Sequence, residues 1–197
     1  MIEVREATID DADAIATVHI DGWRVGYRGI VPDQYIDSEE FATTRRERWR
    51  AWTWNLLAGS RIFVVCMHDR VVGFAQAGPE RVDPETEPET GRGEVYAFYL
   101  HPTAWGSGAA GALMSRCEEF LRDEGFITAV LWVLRDNPRA RAFYEKAGWS
   151  FNGLESAFAA SEAPDDPLPE VQYEAHLQLK STADSGDTQS WIFCPTR

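Results

Sequence analysis

The residues best placed to do chemistry sit in one stretch, Leu100-His-Pro-Thr-Ala-Trp-Gly-Ser-Gly-Ala-Ala-Gly-Ala-Leu-Met114. Gly106, Gly108 and Gly111 interrupt it at close spacing, with small residues in the gaps. An apolar, aromatic run precedes it, Val95-Tyr-Ala-Phe-Tyr-Leu100, and reads as a buried strand. Ala110, Leu113, Met114, Cys117, Phe120 and Leu121 follow at helical spacing. A glycine-rich turn that opens a helix presents free backbone N–H groups and a helix end of about +0.5 charge. Missing side chains let an anion reach that backbone. The predicted chemistry is the binding of a phosphorylated cofactor. The competing reading is a small-residue loop that packs a helix tightly on a sheet.

Composition narrows the classes. With 197 residues, 44% hydrophobic and 26% charged, the chain reads as one globular domain. Its net charge of −13 opposes nucleic acid and anionic membranes as partners and suits a cationic substrate. An acidic protein that binds a polyanionic cofactor must do so through local dipoles and a few cations. No apolar run approaches the ~20 residues that span a bilayer, and Met1-Ile-Glu-Val-Arg-Glu lacks the apolar core of a signal sequence. Cys66, Cys117 and Cys194 are odd in number and widely spaced, and Cys66 and Cys117 read as small core hydrophobes. His19, His68, His101 and His176 stand apart from other ligand types, so no metal site is expected. The expected setting is reducing and cytoplasmic.

The elements that must position the turn follow in order. Residues 2–7 alternate as a strand, and 12–27 form a helix with apolar positions Ile15, Val18, Trp23 and Val25. Near its glycine-weakened end, Trp23, Arg24, Tyr27 and Arg28 are either core packing or a pocket wall. A second helix, 39–57, interleaves arginines with Trp49, Trp52 and Trp54; helical spacing makes Trp49 and Trp52 core anchors. Strands at 61–68 and 71–77 flank a tight turn at Asp69-Arg70, and 78–93 is a Pro/Glu-rich loop. After the turn and its helix, 126–134 is a near-continuous apolar strand, hence parallel and buried on both faces. Asn137-Pro138 caps a helix over 139–146, Trp149-Ser-Phe-Asn is a strand, 161–167 is an acidic loop, and 171–179 is the last strand. The polar tail carries an unplaced Trp191-Ile-Phe-Cys194 patch. This order predicts a mixed sheet with helices on its faces, an α/β or α+β domain over 1–180 with a tail at 181–197.

Gly106-x-Gly108-x-x-Gly111 also fits a dinucleotide fingerprint, with Asp136 as the ribose acid, so a nicotinamide-dependent reductase is an alternative. Against it, His101-Pro-Thr-Ala-Trp105 separates strand from glycines, and the turn comes mid-chain within a single β-α-β unit. Strand, His-Pro, glycine turn and helix, followed by Asn137-Pro-Arg-Ala-Arg-Ala-Phe-Tyr-Glu-Lys-Ala-Gly-Trp149, resemble the GNAT superfamily of N-acetyltransferases. That family cradles the pyrophosphate of acetyl-CoA on an Arg/Gln-x-x-Gly-x-Gly/Ala turn. Gly108 and Ala110 match it, Trp105 replaces the Arg or Gln, and Trp149 replaces a Phe.

The resemblance implies a GNAT-like mixed, mostly antiparallel sheet of about seven strands, splayed at the central strand, with helices on both faces. It implies an acetyl-CoA-dependent N-acyltransferase acting by direct attack of an amine in a ternary complex; a non-catalytic acyl-CoA-binding module is the other alternative. The backbone of Leu100 would pair with the pantetheine arm, and Trp105, Gly106, Ser107, Gly108, Ala109, Ala110 and Asn137 would hold the cofactor. Tyr144 matches the family's acid, a phenol that protonates the leaving thiolate. Glu94 is the candidate base, sharing a strand face with Tyr96. Trp23, Tyr27 and Tyr96, with acidic residues of 155–166, would wall an acceptor cleft for a cationic amine. A second copy of the chain is a further candidate partner.

Overall fold

Alternating and apolar runs become the strands of a single seven-stranded sheet, in the order β1-β2-β3-β4-β5-β7-β6. The computed structural model describes residues 1–52, 56–81, 91–158 and 167–177. The strands are β1 (Ile2–Glu6), β2 (Arg61–Met67), β3 (Arg70–Pro79), β4 (Arg92–Leu100), β5 (Thr128–Leu134), β6 (Ser150–Phe158) and β7 (Leu168–His176). The helices are α1 (Ala12–Gly26), α2 (Asp33–Ile36), α3 (Glu39–Trp52), α4 (Ala109–Asp123) and α5 (Pro138–Lys146). Five ladders are antiparallel. Only β4–β5 is parallel. One parallel ladder cannot make the doubly wound sheet that the reductase alternative needs.

The apolar run of β2 is explained by its two covered faces. Phe63 and Val65 join the core under α4, with Leu113, Met114, Cys117 and Leu121. Ile62, Val64 and Cys66 pack on the other face with Ile15 and Val18 of α1 and Trp49 of α3. Cys66 and Cys117 are buried free thiols, as expected of small hydrophobes. No described helix is long and apolar enough to cross a membrane.

The basic and aromatic residues of α3 serve packing. The Arg45 guanidinium is buried over Phe41 and Trp23, 3.7 and 4.7 Å from their ring centroids. Trp49 donates its indole N–H to Nδ1 of His19 at 2.9 Å. Burial, and then the Arg45 charge, lower the His19 pKa to about 3, so the imidazole that braces α1 is neutral. Val25, expected inside, is half exposed. Residues 53–55 lie outside the described residues, and the expected helical end at Leu56 and Leu57 is exposed coil.

Several boundaries move because a partner strand overrides local pattern. The hairpin turn sits at His68-Asp69, one residue earlier than expected, both with positive φ (50° and 58°). The loop expected over 78–93 is laddered at both ends, with Gly78 opposite Glu94 and Pro79 opposite Gly93; 82–90 lie outside the described residues. β6 runs on to Phe158 although 152–157 lack apolar alternation, because β7 pairs with it. Residues 159–166, most of the expected acidic acceptor wall, and the tail lie outside the described residues.

The largest correction concerns β4. Gln76 pairs with Ala97 and Ala77 with Val95, so Tyr96 is an extra residue opposite a two-residue step of β3. This β-bulge reverses the alternation. Val95, Phe98 and Leu100 face the α4 core, while Ala97 and Tyr99 face α1. Glu94, Tyr96, Phe98 and Leu100 therefore do not share one face, as uninterrupted period-two counting expects.

Candidate functional site

The sheet opens at this bulge. β4 pairs with β5 only through residues 92–95 against 128–131, yet it pairs with β3 as far as Leu100. The β5-facing edge of 96–100 has no strand partner. A cleft of about 490 Å³ fills the gap. One wall is β4 from Val95 to Leu100; the other is Trp132, Val133 and Leu134 of β5.

The glycine turn closes one end. Gly108, at φ 92°, is the N-cap of α4, a left-handed conformation that glycine adopts without strain. Ser107 builds the turn: its hydroxyl donates to the Ala104 carbonyl at 2.7 Å and accepts from the Ala109 N–H at 3.2 Å. The Ser107 and Ala109 N–H groups are thus spent internally. Those of Gly106, Gly108, Ala110 and Gly111 have no protein partner among the described residues. Leu100, Trp105, Gly106, Ala110 and Asn137 line the cleft; Ser107, Gly108 and Ala109 stand outside it and shape it.

Trp105 brings a cation with it. The Arg139 guanidinium carbon lies 3.8 Å from the Trp105 ring centroid, and both side chains line the cleft. Sequence reasoning missed Arg139. A signal was present: it is a cation in the first turn of α5, against the helix dipole. Asn137 caps that helix, its side-chain oxygen accepting from Ala140 N–H at 3.1 Å. α5 is pinned to β7 by Tyr173, which donates to Glu145 at 2.8 Å and accepts from Arg141 at 3.1 Å.

Tyr144 hangs from α5 into the cleft between Phe98, Phe143 and Tyr173. It is 6% exposed, and burial raises its phenol above the ordinary range. Its hydroxyl has no hydrogen-bond partner among the described residues. Trp23, Tyr27 and Tyr96 also line the cleft, joined by Phe158 and Glu170, which sequence reasoning did not single out.

Glu94 differs from expectation. It is 2% exposed and does not line the cleft. Its carboxylate accepts from the Arg81 backbone N–H at 2.8 Å and from the Arg81 guanidinium, with Nη2 at 2.5 Å from Oε1. A carboxylate enclosed by an ion pair is not an open base, because taking a proton would leave the Arg81 charge unpaired. Arg81, stacked 4.7 Å from the Tyr96 ring centroid, is the member of the pair that reaches the cleft.

Residues 25–149 match the model of the acetyltransferase (GNAT) family. The uncharacterized N-acetyltransferase YuaI of Bacillus subtilis is 37% identical over 139 residues, which is 70% of this chain and 75% of that protein. Among solved structures, the PaiA N-acetyltransferase of Thermoplasma acidophilum in complex with coenzyme A superposes with a TM-score of 0.67 at 19% identity, covering 89% of this chain and 99% of that one. YncA of Salmonella typhimurium with acetyl-CoA gives 0.62 at 19% identity, covering 93% and 98%. The family match spans the bulged strand, the glycine turn and the Asn137–Trp149 segment, and the splayed sheet is that of the solved neighbours: the chain belongs to the GNAT family of N-acetyltransferases.

Proposed function

We propose that the chain transfers an acetyl group from acetyl-CoA to an amine by direct attack within a ternary complex. The observation that carries this reading is the unpaired edge of β4 at 96–100, opening beside the free N–H groups of the glycine turn. An extended pantetheine arm would pair with that edge near Leu100, as a strand does. The N–H groups of Gly106, Gly108, Ala110 and Gly111 would hold the pyrophosphate, with Arg139 on Trp105 supplying the positive charge. Tyr144 would give its proton to the sulfur as the C–S bond breaks. Asn137 would keep its cap and turn its NH₂ group to the substrate. Glu94 would hold Arg81 in place. The support is geometric for each role, and the match with acetyl-CoA rests on the family and on the cofactors named for the two solved neighbours.

The first experiment compares melting with CoA, acetyl-CoA and NADPH. At ~100 times its dissociation constant a ligand adds about 2.7 kcal/mol. Both CoA species should stabilise and NADPH should not; the reverse would return the turn to a dinucleotide role. Thiol release in the presence of amines then separates an enzyme from a binding module. Arg139→Gln should raise the CoA dissociation constant about 10-fold, a loss of about 1.4 kcal/mol, and flatten its salt dependence. An unchanged constant would assign the pyrophosphate to backbone alone.

A further inference from the structure

We propose that Glu170 receives the acceptor, binding a primary ammonium carried on an apolar stem and taking its proton; this deepens the acetyltransferase reading and rests on it. Glu170 lies on β7, between Leu134 of β5 and Ser156 of β6, and lines the cleft. Among the described residues its carboxylate has no hydrogen-bond or ion-pair partner. Around it stand Trp23, Tyr27, Tyr96 and Phe158, all lining the same cleft. Gly22 and Gly26 leave that side of α1 without side chains, and a Cβ added at Gly26 would meet nothing within 4 Å. A carboxylate among aromatic rings is a site for an ammonium group: the charge pairs with the carboxylate, the rings accept it on their faces and the stem replaces water on them.

The electrostatics suit proton removal. Burial raises the Glu170 pKa, the Arg81 charge opposes that, and Glu94 adds to it. A raised carboxylate is a better base at neutral pH. The ionisable groups facing it are Arg81, Glu94 and Tyr27; its strand partners Leu134 and Ser156 carry no charge. The substrate ammonium gives one proton to Glu170, and the freed nitrogen lone pair forms the N–C bond. The C–S bond breaks and the sulfur takes the Tyr144 proton. The nitrogen loses its second proton through solvent, which reprotonates Tyr144, and Glu170 releases its own to solvent.

The test titrates CoA-saturated protein at pH 7 with phenethylammonium chloride and with phenethyl alcohol, by calorimetry. The wild type should prefer the ammonium by about 10-fold or more, and Glu170→Gln should erase that preference while CoA affinity stays unchanged. In acetyl transfer to phenethylamine, Glu170→Gln should lower kcat/KM by about 10²–10³, with the residual rate rising with pH as the amine deprotonates on its own. Equal binding of the two probes to the wild type, or a Glu170→Gln enzyme that keeps its rate while a folded Glu94→Gln loses it, would overturn the proposal. Failure of CoA itself to bind would instead bring down the acetyltransferase reading.

Discussion

Tyr144→Phe lowers kcat by about 10²–10⁴ and leaves the melting temperature and CoA affinity unchanged. The phenyl ring keeps the contacts with Phe98, Phe143 and Tyr173, and the hydroxyl it removes bonds no described protein group. Only the proton source is lost. Burial makes the phenol a weaker acid than in water. The leaving sulfur, however, emerges in the same apolar cleft, where an uncovered thiolate is also penalised, so its basicity rises with that of the phenolate. Proton transfer as the C–S bond breaks spares the site an unpaired charge. Steady-state kinetics should show the loss in kcat with KM for acetyl-CoA nearly constant. A Phe enzyme within about threefold of wild type would make Tyr144 a packing residue and water the proton donor, since general acids contribute more than that.

Trp149→Ala should cost about 3–5 kcal/mol, a fall of roughly 10 °C in melting temperature for a domain of this size. Trp149 is 2% exposed and its indole N–H donates to Glu118 of α4 at 2.9 Å. It joins the end of α5 and the start of β6 to the helix that carries the glycine turn. Trp149→Phe isolates the polar part. It keeps most of the buried ring and leaves the Glu118 oxygen unpaired, at a cost of about 1–3 kcal/mol. Burial raises the Glu118 pKa above 4.5, and the Trp149 bond lowers it in part. A raised carboxylate favours folding below its unfolded pKa, and that contribution is lost as pH rises through the folded value. Without the indole the folded value rises further. The difference between Trp149→Phe and wild type should therefore be larger at pH 7 than at pH 4. Calorimetric melting at both values checks it, and a pH-independent difference would mean that the bond to Glu118 contributes nothing.

Contiguous features were legible from sequence. The turn from Trp105 to Ala110, the α4 core positions, the Asn137 cap and Tyr144 each follow from types at fixed local spacing, and the structure puts Tyr144, Asn137 and the turn around one cleft. What depends on strand pairing was not legible. The bulge at Tyr96 is an arithmetic mismatch between β3 and β4, which neither strand shows alone. Glu94 looked like a free strand-end acid because Arg81, its partner across the hairpin, sits in a segment that reads as loop. Glu170 enters the cleft only because β7 inserts between β5 and β6, against chain order. Arg139 lay within reach of sequence reasoning, three residues into a matched motif and on the wrong end of a helix.

The extra residue in β4 also fixes how this strand can change length. From Val95 back, odd positions face α4; from Phe98 on, even positions do. Deleting any one residue of 96–100 would rephase the rest. Phe98 would leave Phe143, whose ring it stacks at 5.4 Å, and Tyr99 would leave Phe74, stacked at 5.4 Å on the α1 side. Both layers of the protein would lose their contact with the central strand at one stroke. Single-residue insertions and deletions are therefore excluded here by parity, whatever residue is involved, while Pro79 and Arg92 at the hairpin ends can tolerate changes of length between them. The stretch is a counter as well as a wall: its length, more than its side chains, holds the edge where the sheet opens.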